Sequence, residues 1–379
     1  MKRVLVLGGG FGGLAAAHHL RKALPEGDEV VVVERNTHFM MGLRKTWVLT
    51  GASTSAGGQR PLAALEQYGI RVKQGTITAI DPSGRAVDVD GERIEADAMI
   101  VALGAQLAPE LMPGFNEYAL NIYDPTSIEQ AAAAVEKFEQ GRLTIGVFGA
   151  PYKCPPAPYE IAMMLTDFFR TRQRQVTIEV FTPQPASMPV LGEAGCAVLD
   201  GRLSEHGIIF LANHKATNIE AGQVVFGERR RPFDLLLGIP PHKCPDVVKQ
   251  SGLTGDANWV RINPQTMETA FPGVYAIGDT TEILMANGSP LPKAGLFAES
   301  EGKVAASNIA AMLEGRAPDA VLDGNGYCFM EIGGGMAVHV TGDFLAQPAP
   351  SVKMTEPSES YLQGKHDFET ERLAAWFGS

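Results

Sequence analysis

The chain has 379 residues, 45% of them hydrophobic, and a mean hydropathy near zero, enough apolar material for a large core divided among two or three domains. A formal net charge of −11 and a pI near 5.3 exclude the clustered Lys and Arg surface on which nucleic-acid binding depends. No stretch approaches the roughly 18 consecutive apolar residues of a membrane span, and Met1 leads almost at once into a strand, so no signal peptide is expected and the cytoplasm is the expected compartment.

The first predicted strand, Val4 to Leu7, runs into Gly8-Gly9-Gly10-Phe11-Gly12-Gly13 and then a helix from Gly12 to about Leu24. A second strand, Val30 to Val33, ends at Glu34 with Arg35 beside it. Strand, Gly8-x-Gly10-x-x-Gly13, helix and acid stand in the order of a dinucleotide fingerprint. Its glycines let the backbone approach a pyrophosphate, the helix N-terminus stabilises that charge, and Glu34 accepts from ribose hydroxyls. The segment from Phe39 to Gly51 contains no cysteine, and its Met40, Met41 and Trp47 suit either core packing or an apolar wall beside a bound ring.

Further along, the apolar strand Ala98 to Val101 closes on Ala102-Leu103-Gly104, and a linker around Pro113-Gly114 follows. A second α/β unit is predicted beyond it: a helix from Gln130 to Gln140, a strand from Leu143 to Phe148, a helix from Ile161 to Arg172 and a strand from Thr177 to Phe181. Arg229-Arg230-Arg231, the only basic run, reads as a solvated hairpin. The chain returns through Phe233 to Pro241, and Val274 to Ile277 is a strand ending in Gly278-Asp279. Lys293-Ala294-Gly295 opens a helix to about Leu313, and the tail carries Gly333-Gly334-Gly335 and a terminal amphipathic segment, His366 to Phe377.

Where the second unit should repeat the glycine turn, Gly149 is followed by Ala150-Pro151-Tyr152-Lys153-Cys154-Pro155-Pro156-Ala157-Pro158-Tyr159-Glu160. Proline supplies no N–H for a pyrophosphate, which weakens an NAD(P)H site there. The prolines fix Cys154 in a rigid loop at a strand end, where α/β folds bind ligands. Lys153 and a helix N-terminus following Pro158 are expected to lower the Cys154 pKa, and Glu160 is a candidate proton carrier. The other cysteines are Cys196, Cys244 and Cys328; four scattered cysteines with no CxxC exclude a disulfide framework and a thiolate metal site. Cys196 and Cys244 read as structural, Cys244 being the nearer to a spare thiol, and His242 as a core or turn residue able to approach a bound cofactor.

The paired strand ends at Ala102-Leu103-Gly104 and Gly278-Asp279 resemble those of the pyridine nucleotide–disulfide oxidoreductase superfamily. The resemblance implies FAD, held in part by Asp279 on the ribityl chain, with the helix opened by Lys293, Ala294 and Gly295 pointing at the flavin pyrimidine. It implies an α/β fold of two Rossmann-like, three-layer ββα domains, the FAD domain being split by the second, plus a small C-terminal domain. The expected divisions are residues 1–110 and 241–316 for the FAD domain, 111–240 for the second and 317–379 for the third.

More narrowly, Lys153 to Glu160 resembles the first active-site cysteine segment of sulfide:quinone oxidoreductases and flavocytochrome c sulfide dehydrogenases, and Cys328 sits where those families place their second redox cysteine. That implies sulfide or another small sulfur donor attacking a Cys154–Cys328 pair, with electrons passing through FAD to quinone or a cytochrome-type partner. The cysteine-free Phe39 to Gly51 stretch departs from disulfide reductases and from subunits that attach FAD covalently, so non-covalent FAD is expected. The terminal segment is acidic in its first half, which favours packing back onto the protein; peripheral membrane contact and a homodimer stay open. Two other readings remain: an NAD(P)H-driven oxidoreductase resembling type II NADH dehydrogenases, and a non-catalytic flavin-binding electron-transfer subunit.

Overall fold

The structure is a computed structural model that describes residues 1–378. Five parallel strands form the first sheet in the order Val274–Ala276, Ala98–Val101, Arg3–Leu7, Glu29–Glu34, Ile70–Gln74. Because side chains alternate across a strand, Val4 and Val6 face one layer and Leu5 and Leu7 the other. The first layer is helices Phe11–Ala23 and Gly295–Leu313; the second is an antiparallel sheet of Ile77–Asp81, Ala86–Val89 and Glu92–Glu95.

The same three-layer plan recurs. A second parallel sheet has the order Leu120–Asn121, Leu235–Ile239, Gln140–Val147, Gln175–Phe181, Ile209–Leu211. Helices Ile128–Lys137, Ala157–Thr171 and Gly192–Glu205 cover one face. The antiparallel strands Asn218–Glu220, Gln223–Phe226 and Arg229–Pro232 cover the other, through Phe115, Phe148, Phe181 and Leu236. The basic run is therefore a strand, and not wholly solvated: Arg231 donates to both oxygens of the buried Glu179 at 2.8 and 2.5 Å.

The tail forms an antiparallel sheet, Asn325–Gly333, Met336–Asp343 and Ser351–Met354, with Gly334 and Gly335 turning between its first two strands, and then helix Glu359–Phe377. Met330, Ile332, Val338 and Val340 join the core of the second unit, whereas Leu373, Trp376 and Phe377 join that of the first. The tail thus clamps both units. Two helices begin a full turn or more earlier than expected. Ala157–Thr171 starts within the proline cluster because a helix tolerates proline in its first turn, and Glu359–Phe377 starts where Ser358 accepts from Ser360 N. Among the described residues no helix is long and apolar enough to cross a membrane.

Candidate active site

At the first strand end the backbone approaches itself too closely for side chains. A Cβ on Gly8, where φ is +109°, would lie 2.4 Å from Ala102 O, and one on Gly13 would lie 1.9 Å from Gly8 O. Gly10, the N-cap of Phe11–Ala23, instead faces open space, and no side chain caps that helix. The free N–H groups of the first turn therefore converge on a cradle with room for a pyrophosphate. Glu34 accepts from Gly9 N at 2.8 Å and from Asn36, leaving carboxylate lone pairs for ribose hydroxyls; Arg35 is exposed beside it. Phe11 gives its backbone N–H to that first turn, while its ring packs against Phe39, Phe368 and Trp376, tying the turn to the terminal helix.

The two other strand ends meet at the same edge. Thr280 Oγ1 donates to Gly104 O at 2.8 Å, joining the Gly278-Asp279 turn to Ala102-Leu103-Gly104. Asp279 accepts no side-chain hydrogen bond among the described residues; burial holds its carboxyl above the usual range, against Lys293 and Lys153. Lys293 departs from the role expected of it. Its ammonium donates to the carbonyls of Asp279 (2.7 Å) and Thr281 (3.0 Å) and sits 3.6 Å from the ring centroid of Trp259, so it staples the turn. Ala294 caps helix Gly295–Leu313 without a side-chain bond, so that helix presents free N–H groups to the edge. Glu301, unmarked in the sequence, is buried, accepts from Gly278 N, and is raised to about 7 by burial.

The Cys154 loop crosses to this edge. Cys154 N donates to Lys293 O at 2.7 Å, and Lys153 and Lys293 pair as a parallel bridge. The Cys154 carbonyl accepts from Ala157 N and Tyr123 Oη, both at 3.1 Å, which pins a non-glycine residue at a left-handed φ of 54°. Its side chain is accessible yet deep in the fold, so it lines a cleft. The expected activation by Lys153 and the helix is not what the structure holds. Burial, then Glu160, push the thiol up to about 11, with Lys365 and Lys45 pulling the other way. The helix offers little: Pro156 and Pro158 have no N–H, and those of Ala157, Tyr159 and Glu160 are already bonded to Cys154 and Pro156.

Cys328 lies on strand Asn325–Gly333, which packs along helix Ala157–Thr171. Burial, then Cys154 and Glu160, push the Cys328 thiol up to about 12. Neither thiol forms a disulfide, and Cys196 and Cys244 are buried, Cys196 Sγ donating to Met188 O at 3.0 Å. Between the two units runs a buried ionic chain that sequence reasoning missed. Lys365 Nζ donates to Glu160 at 2.7 Å and to Glu331 at 2.8 Å; Glu331 N donates to Glu160 at 3.0 Å and Trp47 Nε1 to Glu331 at 2.5 Å. Burial raises Glu160 while Lys365 opposes it; burial opposes the Lys365 charge, but the two carboxylates hold its pKa above normal. An acidic helix carrying one lysine four residues before a glutamate was the only signal available.

The chain is 24% identical over 376 residues to the mitochondrial sulfide:quinone oxidoreductase of Mus musculus, covering 94% of this chain and 81% of that one. It is 27% identical over 331 residues to the demethylphylloquinone reductase of Synechocystis sp., covering 83% and 80%. The X-ray structure of the sulfide:quinone oxidoreductase from Aquifex aeolicus superposes with a TM-score of 0.90 at 22% identity, covering 100% of this chain and 92% of that chain. That likeness establishes the fold, two Rossmann-like units and a C-terminal extension. The open cradle at Gly10, the unpaired Asp279 carboxylate and the uncapped Gly295 helix fit FAD, and the family model for pyridine nucleotide-disulphide oxidoreductases matches residues 2–302, so the chain is an FAD-dependent oxidoreductase belonging to that family.

Proposed function

We propose that this chain oxidises sulfide through Cys154 and Cys328 and delivers the electrons by way of FAD to a quinone. The reading is supported by the Cys328 thiol, far from Cys154 in sequence, feeling the charge of both Cys154 and Glu160, while Lys153 beside Cys154 feels that of Asp279. The sulfide and quinone named for the mouse relative, and the quinone substrate named for the Synechocystis one, support the choice of donor and acceptor.

With the pair oxidised, hydrosulfide attacks one sulfur; the S–S bond breaks, leaving a persulfide on one cysteine and a thiolate on the other. Closing the pair again through the added sulfur releases one proton and two electrons. Glu160, beside both thiols and raised by burial, takes the proton, and Lys365 balances the carboxylate once the proton has left. Gly10, Glu34, Asp279 and the Gly295 helix would hold FAD, which would supply the acceptor for the two electrons. The high thiol pKa values mean that reactivity depends on this proton acceptor rather than on a standing thiolate.

A nicotinamide donor is disfavoured by two features of the second unit. The first-turn N–H groups after Cys154 are consumed or absent, and strand Gln175–Phe181 runs out through Thr182-Pro183-Gln184 with no acid, where strand Glu29–Glu34 ends in Glu34. Anaerobic stopped-flow titration of the flavoprotein tests the reading. Sulfide should bleach the flavin within the mixing time and NADH should not; Cys154→Ser and Cys328→Ser should each bind FAD yet lose bleaching, while Cys196→Ser keeps it. Rapid saturable bleaching by NADH, or full activity in Cys328→Ser, would overturn it.

A further inference from the structure

Lys45 opens the helix Arg44–Leu49 beside the cleft. Its Nζ lies 5.9 Å from the ring centroid of Tyr123, the residue whose hydroxyl holds the Cys154 carbonyl, and His242 stands edge-on to the same ring at 5.8 Å. Lys153, next to Cys154, couples to both Lys45 and His242. Other cations near the thiol are committed: Lys365 lies between Glu160 and Glu331, and Lys293 is capped by two carbonyls and Trp259. Among the described residues the ammonium groups of Lys45 and Lys153 have no hydrogen-bond or ion-pair partner. The facing acids do not supply one: Asp124 is engaged by Thr126, and Asp279 lies across the cleft from Lys153 without an ion pair.

His242 adds a second, independent observation. Its Nδ1 faces Pro240 O at 2.9 Å, and a carbonyl only accepts, so Nδ1 carries the proton and Nε2 is a bare acceptor. That Nε2 is buried and unpartnered. Burial lowers Lys45 to about 7 and Lys153 below the usual ammonium range, so an anion seated beside them would hold both in the charged form, and the buried His242 Nε2 lacks a donor. The matching chemistry is a small anion that still carries a proton.

We propose that Lys45, Lys153 and His242 form a seat beside Cys154 for a small protic monoanion, its charge on the two ammonium groups and its proton on His242 Nε2. On the sulfide reading, on which the identity of the ligand rests, that anion is hydrosulfide, and Lys45 is the residue that places it at the reacting sulfur. The seat predicts charge selection at Cys154 whatever the donor.

The experiment alkylates the reduced flavoprotein at fixed pH with iodoacetate and, separately, iodoacetamide, and reads the Cys154 peptide by mass spectrometry. Both reagents draw on the same thiolate, so their rate ratio cancels any change in thiol ionisation and reports the attraction of an anion. Relative to a small free thiol in the same buffer, the wild type should favour iodoacetate by about tenfold or more, the lower end of electrostatic focusing in a cleft. Lys45→Met should return the ratio to the free-thiol value, Lys45→Arg should keep it, and bicarbonate, a small monoanion that carries a proton, should suppress it in the unaltered protein, a readout that needs no variant to fold. An unchanged ratio in a flavin-retaining Lys45→Met, or no effect of bicarbonate, would overturn the seat. A selective ratio in a protein that sulfide fails to bleach would keep the seat and remove the sulfide reading.

Discussion

Glu301 shows how burial at one residue sets a property that can be measured. Its carboxyl titrates at about 7 in the fold and near 4.5 in the unfolded chain, first because burial disfavours the charge and also because Asp279 lies nearby. Between those values the folded state binds a proton that the unfolded state does not, so stability falls as pH rises from about 4.5 to about 7 and is level above. Glu301→Gln keeps an acceptor for Gly278 N and removes the titration. It should flatten that slope and gain up to about 3 kcal/mol near pH 8, measured by urea denaturation at several pH values. Parallel profiles for the two proteins would refute the assignment. Cys154 teaches the converse: a neighbouring lysine in sequence suggested a low thiol pKa, but desolvation and Glu160 outweigh it.

Among the elements, helix Glu359–Phe377 owes its docking to charge as much as to apolar area. Lys365, Glu369 and Arg372 recur at helical spacing on one buried face, pairing with Glu160 and Glu331, with Arg44, and with Glu299. Arg44 grips Glu369 through two nitrogens, Nε at 2.8 Å, with both side chains largely buried. Glu369→Ala would strand the guanidinium and should cost about 3–5 kcal/mol. Hydrogen exchange should then accelerate through Glu359–Phe377 and leave strand Arg3–Leu7 protected; uniform acceleration would show that the helix is not a separable clamp. Apolar periodicity in the sequence marks only the stretch from His366 to Phe377, because the inward face of this helix is partly ionic.

At the scale of the whole molecule, FAD would be gripped by segments from both ends of the chain, the Gly8–Gly13 turn with Glu34 and the Gly278–Asp279 turn with the Gly295 helix. No cysteine lies between Phe39 and Gly51, and Cys196 and Cys244 are buried in cores. Acid precipitation should therefore release all the flavin to the supernatant, and the Tm of the native protein should climb with added FAD, by mass action on the folded state. Flavin retained in the precipitate would contradict non-covalent binding.

The glycine fingerprint with Glu34 and the proline-bound Cys154 were legible in the amino-acid sequence because each marks a local solution to a backbone problem, a close approach or a helix start, whereas the strand-end Gly278-Asp279 stood out only by resemblance. Periodicity likewise placed the strands Arg3–Leu7 and Gln175–Phe181 to within a few residues. What only tertiary structure decided is what depends on which groups share a low-dielectric space. Lys365 meets Glu160 across 205 residues of chain, Trp47 meets Glu331 across 284, and the thiols of Cys154 and Cys328 come into one field only when the tail folds over both units. Charge and desolvation act through space and carry no signature along the chain, so the protonation states of this cleft are a property of the fold.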